Sequence, residues 1–135
     1  MKKSKLVSVS ILTCNELEDL KVCLKCVFSQ TYNNLEILVI DNASTDGTRE
    51  FLDTNYKNKV HYIYNSSNEG CAGGNNIGIK NSLGEYIIIC DANLFMSKDY
   101  ISKMVNALES SENKRIGMVQ AKLYRISSAE ELNKA

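Results

Sequence analysis

Several short stretches of the chain set polar, chemically able side chains directly after apolar runs. Thr13, Cys14, Asn15 and Glu16 follow the run from Leu6 to Leu12; Asp41 and Asn42 follow Leu35 to Ile40; Asp91, Ala92 and Asn93 follow Tyr86 to Cys90. If the runs are parallel strands, their carboxyl ends share one sheet edge, where ligands of open α/β sheets bind. The gathered groups would then form a site for a hydrogen-bonding ligand. Singly they are less telling, since Asp41 would also serve to open the turn at Asn42-Ala43-Ser44, and Asp91 to cap a following helix. A polar, Gly-rich loop from Asn65 to Asn76 carries Asn68, Gly70, Gly73, Gly74 and Asn76. Glycines let backbone approach phosphate closely, and they serve equally in turns and in tight helix packing.

Other chemistries lack their residues. There is no GxGxxG after the first apolar run, no P-loop pattern, and no nucleophile-elbow context around any Ser or Cys. The single histidine, His61, has no partner that would make it part of a triad. Cys23 and Cys26 form a CxxC, but no second CxxC or His pair completes a zinc site. That pair falls in an amphipathic helical pattern, which makes ordinary buried or half-buried thiols the expectation. Sixteen Lys+Arg balance sixteen Asp+Glu, so net charge points to no nucleic-acid partner.

The elements that must position these groups alternate. Leu6 to Leu12 reads as a first strand, and Leu17, Leu20, Leu24, Val27 and Phe28 recur on one helical face. Leu35 to Ile40 is nearly all apolar, as in a strand covered on both faces. Asn42 to Gly47 is a turn in which Ser44, Thr45 and Asp46 can accept from free backbone N–H groups, and a helix to about Tyr56 follows. Val60 to Tyr64 is a third strand, and the Gly-rich loop leads into a short helix ending near Gly84. Tyr86 to Cys90 is a fourth strand, Tyr100 to Leu108 an amphipathic helix, and Ile116 to Gln120 a fifth strand. The rhythm predicts an α/β sandwich with a mostly parallel sheet. Residues of about 5–126 form its expected core; the polar tail from Ser127 to Ala135 is expected to be helix-prone or disordered.

Val9-Ser10-Ile11-Leu12-Thr13-Cys14-Asn15-Glu16, Phe28-Ser29-Gln30-Thr31-Tyr32 and Leu38-Val39-Ile40-Asp41-Asn42-Ala43-Ser44-Thr45-Asp46-Gly47-Thr48 resemble the opening of family 2 glycosyltransferases. So do Asn68-Glu69-Gly70-Cys71-Ala72-Gly73-Gly74-Asn75-Asn76-Ile77-Gly78 and Gly84-Glu85-Tyr86 before a strand ending in an acid. Rhamnosyltransferase-like members look most similar, from about Val7 to Leu108. The resemblance implies a GT-A fold, a Rossmann-like three-layer sandwich, and binding of a nucleoside diphosphate sugar. Within it, Asp41 would accept from the imide N–H of uracil or thymine, Thr13 to Glu16 would line base and ribose, and Asn68, Gly70, Asn76, Asp91 and Ala92 would complete the donor site. The family often has an aromatic residue at the Cys14 position, and a thiol stacks less well on a base.

The family's DxD motif holds Mg²⁺ or Mn²⁺ against the donor's diphosphate. Here it reads Asp91-Ala92-Asn93, with an amide in place of the second acid. Asp91 and Asn93 are the implied metal ligands, and weaker metal binding than in a typical member is expected.

The family's acceptor-binding portion, with the carboxylate that deprotonates the acceptor hydroxyl, finds no resemblance in this chain. The 135 residues are therefore expected to be a single nucleotide-sugar-binding domain and part of a longer, inverting enzyme acting on a carbohydrate, lipid-linked or protein acceptor, with no catalytic base of its own. Enzymes of this kind build cell-surface polysaccharide and other glycans. One rival is a binding or regulatory module that kept the fold and lost catalysis. A signalling receiver domain, the other rival, needs an acidic pair after the first strand, where Glu16 stands beside Asn15. No stretch approaches a membrane span, Ser8 and Ser10 interrupt any secretory h-region, and the five cysteines suggest reduced thiols. The expected location is the cytoplasm, peripheral at the membrane in a full-length parent.

Overall fold

The computed structural model describes residues 3–110 and 115–125. Its elements run β1 (Val7–Thr13), α1 (Leu17–Phe28), β2 (Leu35–Asn42), α2 (Thr48–Asn55), β3 (His61–Asn65), α3 (Gly70–Asn81), β4 (Tyr86–Asp91) and α4 (Tyr100–Glu109). The four strands form one sheet in the order β3-β2-β1-β4, and every pairing is parallel. The chain steps outward from β1 to β3, then returns past β1 to add β4. Right-handed crossovers keep α1 and α2 on one face during the outward steps and carry α3 to the other face on the return. The reversal point lies between β1 and β4.

Alternation along the strands gives each face its own core. Val7, Val9, Ile11, Ile37 and Val39 pack with Leu20, Cys23, Leu24 and Val27 of α1, Leu52 of α2, and Ile101 and Val105 of α4. On the other face Leu12, Leu38 and Ile40 meet Ile63 and Ile77. The result is the three-layer α/β sandwich expected, with a sheet that is wholly parallel.

Two expectations need correction. The Gly-rich segment is helical from Gly70 onward and is not a loop to Asn76. Glycine is a poor helix former, but here the missing Cβ decides the packing. A methyl group on Gly74 would run into Leu12 Cδ1, and one on Gly78 into Ser10 Oγ. Only a bare helix face can lie that close to β1. The second correction concerns Ile116 to Gln120, which forms no strand. Met118 there is 85% exposed, so the run has no ladder or core to hold it extended. The polar tail from Ser127 to Ala135 lies outside the described residues.

Candidate functional site

Strand register puts the polar strand ends side by side. Thr13 pairs with Asp41 across β1 and β2, and Leu12 pairs with Asp91 across β1 and β4. All three ends therefore lie on one sheet edge. A cleft of about 320 Å³ opens there, lined by Leu12, Thr13, Cys14, Glu16, Asn42, Asn68, Gly70, Cys71, Asp91 and Asn93. Its place, at the carboxyl edge beside the β1/β4 reversal, is where α/β sheets hold ligands. A neighbouring depression of about 470 Å³ lies over the start of α2, between Ser44, Gly47, Arg49 and Tyr64. It draws on neither β1 nor β4, so we give the strand-end cleft priority.

Seven residues singled out from the sequence thus line one cleft: Thr13, Cys14, Glu16, Asn68, Gly70, Asp91 and Asn93. Four others do not. Ala92 is fully buried, its N–H donating to Leu12 O at 2.9 Å. Asn76 is an exposed residue of α3. Asn15, with a left-handed φ of 55°, turns its side chain toward the turn after β2, where Oδ1 accepts from Thr45 N–H at 2.7 Å. Asp41 stands behind the cleft at 0% exposure. One carboxylate oxygen accepts from Ser44 N–H at 2.8 Å and the other from the Tyr62 hydroxyl at 2.6 Å. A buried carboxylate needs such donors, and Tyr62 in turn is held far above the ordinary phenol range by burial and by Asp41.

Three further residues line the cleft: Leu12, Asn42 and Cys71. The sequence pattern marks Leu12 only as strand, Asn42 only as a strand end and Cys71 only as part of a Gly-rich segment. Asn42 fastens three elements: its Nδ2 donates to Gly70 O at 3.0 Å, and its Oδ1 accepts from Asn65 Nδ2 at 2.8 Å. These bonds tie the ends of β2 and β3 to the start of α3. Asn68 Oδ1 accepts from Gly70 N–H at 2.8 Å, and the Cys14 thiol donates to Asn42 O at 3.2 Å.

The loops around the cleft are cross-linked by the turn after β2. Asp46 Oδ2 accepts from Leu17 N–H, the first N–H of α1, at 2.9 Å. Its other oxygen takes the Thr48 hydroxyl at 2.6 Å and the Thr48 N–H at 3.3 Å. One carboxylate thereby serves the free N-terminal donors of two helices. Burial pushes Asp46 upward, but the bonds from Thr48 and Leu17 outweigh it and hold the group below the usual carboxylate value.

Electrostatically the cleft is acidic. Glu16 is pushed up by burial and by the neighbouring charges of Asp19 and Asp91. Two carboxylates and the Asn93 amide thus crowd an open cleft, an arrangement whose repulsion a cation would relieve. Among the described residues no group of three or more His, Cys, Asp or Glu side chains could hold a metal ion by themselves. The CxxC shows no site: Cys23 is buried and Cys26 half-buried, with Cys23 hydrogen-bonded to Cys90 in the core and, together with burial, raising that thiol. His61 is exposed at the start of β3. No described helix is long and apolar enough to cross a membrane.

Fold and cleft together define an α/β domain of the GT-A type with a cleft at the carboxyl edge of its sheet. The chain belongs to glycosyl transferase family 2, whose model matches residues 8–130. The glycosyltransferase GlyG of Streptococcus pneumoniae is 30% identical over 111 residues, which cover 81% of this chain and 37% of that protein. An Escherichia coli protein named UDP-Glc:alpha-D-GlcNAc-diphosphoundecaprenol beta-1,3-glucosyltransferase WfaP is 29% identical over 107 residues, covering 79% of this chain and 43% of its own. Among solved structures, the mannosyltransferase PcManGT of Pyrobaculum calidifontis in complex with GDP-Man and Mn²⁺ superposes with a TM-score of 0.69 at 28% identity. The match covers 78% of this chain and 32% of that one. TarS of S. aureus in complex with UDP, at 22% identity and a TM-score of 0.70, shares the fold. The chain therefore spans less than half the length of these relatives.

Proposed function

We propose that this chain forms the donor-binding part of a family 2 glycosyltransferase, holding a nucleoside diphosphate sugar whose sugar passes to an acceptor hydroxyl with inversion. The observation that carries the reading is the strand-end cleft. It gathers Thr13, Cys14, Glu16, Asn68, Gly70, Asp91 and Asn93 in a chain whose family membership rests on most of its length. The mannosyltransferase named above holds GDP-Man with Mn²⁺, which supports the same ligand class here.

Cys14 and Asn68 would line the nucleoside, with Thr13, 1% exposed, behind them. Gly70, with an exposed backbone and a φ of 71°, is open to phosphate. Asp91 and Asn93 would hold the divalent cation, Mg²⁺ or Mn²⁺, with Glu16 beside them. They offer hard oxygens, as such ions prefer, and the carboxylate crowding of Glu16 and Asp91 fits a cation. The ion supplies charge neutralisation for the departing diphosphate. Asn93 would contribute an oxygen without formal charge, so the ion would be held less tightly than by two acids. We assign the general base to no residue of this chain and place it, with acceptor recognition, in the remaining length of a complete enzyme. The acceptor would be a carbohydrate, lipid-linked or protein hydroxyl on the cytoplasmic side.

A thermal-shift screen of nucleoside diphosphates and their sugars, with and without Mn²⁺, tests the reading. A ligand at one hundred times its Kd stabilises the fold by about 2.7 kcal/mol. At least one diphosphate should raise Tm, more so with Mn²⁺; Asp91→Asn should remove the Mn²⁺ increment and Asn93→Asp should enlarge it. Absence of stabilisation by every nucleoside diphosphate would overturn the proposal.

A further inference from the structure

The Asp41 carboxylate presents a conflict between resemblance and geometry. As a base reader it would need a free oxygen facing the cleft, yet it is fully buried, and both oxygens already accept bonds from Ser44 N–H and the Tyr62 hydroxyl. The bonds continue outward. Ser44 Oγ accepts from Asn15 N–H at 2.9 Å, and Asn15 Oδ1 accepts from Thr45 N–H at 2.7 Å. Asn15 sits between Cys14 and Glu16, both of which line the cleft.

From this we infer that Tyr62 is a positioning residue for the nucleotide, acting through Asp41, Ser44 and Asn15 on the β1–α1 loop. The inference rests on the proposed donor site for its ligand readout. Its physical basis is the backbone the relay must hold. Asn15 and Ala43 both have left-handed φ, 55° and 62°, and neither is glycine. Such conformations are costly and persist only where surrounding bonds over-determine them. Asp41 fixes the turn containing Ala43 through Ser44 N–H, and Ser44 fixes Asn15. Tyr62 supplies the remaining donor to Asp41, anchoring the relay in β3. Without that hydroxyl a buried carboxylate oxygen loses its partner, and the turn must shift to let it reach water.

Removing the hydroxyl distinguishes the two roles by sign. If Asp41 read the base directly, Tyr62→Phe would free an oxygen and leave nucleotide affinity unchanged or higher. If Asp41 positions the loop, the same substitution weakens binding. The experiment uses the whole chain and compares the wild type, Tyr62→Phe, Ser44→Ala and the double variant. Amide hydrogen exchange is followed by NMR without ligand, and the affinity for UDP and GDP with Mn²⁺ by calorimetry. We expect exchange at the Asn15 and Thr45 amides to quicken and Kd to rise by about tenfold in either single variant, the scale of one lost hydrogen bond. The double variant should lose no more affinity than the weaker-binding single one, because both break one relay; independent structural damage would instead add. Unchanged Asn15 and Thr45 exchange in Tyr62→Phe overturns the inference, as does equal or tighter nucleotide binding. Quickened exchange in a chain whose wild type binds no nucleoside diphosphate would uphold the relay and refute the donor reading. Should Tyr62→Phe fail to fold, Ser44→Ala decides, since it cuts the relay while leaving both donors to Asp41 in place; unchanged exchange and affinity there would overturn the inference.

Discussion

Gly78→Ala should destabilise the protein, although alanine is the better helix former. Gly78 lies in the middle of α3, so alanine there gains about 1 kcal/mol of helix propensity. Against this, the new Cβ would overlap Ser10 Oγ, lie 3.2 Å from Ser10 Cβ, and reach 3.4 Å from Ile40 Cγ1. Ser10 is 1% exposed in the central strand β1 and cannot withdraw. Relief requires α3 to move off the sheet, and overpacking of this kind costs typically about 1–3 kcal/mol. The sequence of signs is therefore a modest gain inside a larger loss, with a net cost on the order of 1–2 kcal/mol.

A second substitution makes the reasoning refutable. The Ser10 hydroxyl is buried without a hydrogen-bond partner among the described residues, so Ser10→Ala alone should be neutral or stabilising. Combined with Gly78→Ala it removes the overlapping oxygen and leaves only the 3.2 Å approach of two carbons. The pair should be coupled by at least about 1 kcal/mol in a double-mutant cycle measured by urea denaturation. Thermal unfolding should show the single variant melting lower, by about 3–6 °C per kcal/mol for a chain of this size. A Gly78→Ala protein as stable as the wild type, or one that Ser10→Ala fails to rescue, would show that α3 does not rest on β1 through its bare face. The test bears on function because α3 begins at Gly70 and Cys71, both of which line the cleft.

Two pH-linked substitutions follow. Glu16 has a raised folded-state pKa, caused first by burial and then by Asp19 and Asp91, so the stability tied to it is present below the ordinary carboxylate value and lost as pH rises through the raised one. Glu16→Gln should therefore raise Tm at neutral pH and converge with the wild type below about pH 4, and saturating Mn²⁺ should shrink the neutral-pH gap; a Tm difference independent of pH would count against the charge crowding. Asp46 has the opposite sign, since its folded pKa is lowered by the bonds from Thr48 and Leu17 despite burial. Asp46→Ala should cost about 1–2 kcal/mol at neutral pH, the range for a lost helix cap, and the loss should fade as pH falls through the carboxylate range; an equal loss in acid would show that the acid acts by packing alone.

Local patterns carried most of the fold. Ile37 to Ile40, an unbroken apolar run, is buried on both faces of the sheet, and the stripe of Leu20, Leu24 and Val27 faces the core. The strand ends were legible because a parallel sheet sends every carboxyl end to one edge, so chain order alone brought Thr13 and Asp91 together. What stayed hidden was written in residues without a periodic signal. Gly74 and Gly78 lie four residues apart against β1, but a bare face registers neither as apolar nor as propensity, and the pattern reads as a loop. Ser8 and Ser10 are polar residues inside the first strand, yet they are buried at 0% and 1%, where α3 and Gly84 leave room for a small polar side chain.

Asp41 shows the deeper limit. Its position at a strand end was visible, but whether its carboxylate faces ligand or protein depends on Tyr62, twenty-one residues away, whose hydroxyl reaches it only once β3 pairs with β2. A motif names the residue types at an edge; the donors that neighbouring strands bring decide which of them remain free to meet a ligand. In this chain Asp91 and Asn93 stay exposed in the cleft, while Asp41 and Asn15 are committed to holding its wall. The residues open to the cleft are thus separated from those that shape its wall by hydrogen bonds between distant segments, and on the proposed function substitutions at Tyr62 and Asp91 should part accordingly. The first should change affinity with or without metal, and the second should change it through the metal alone.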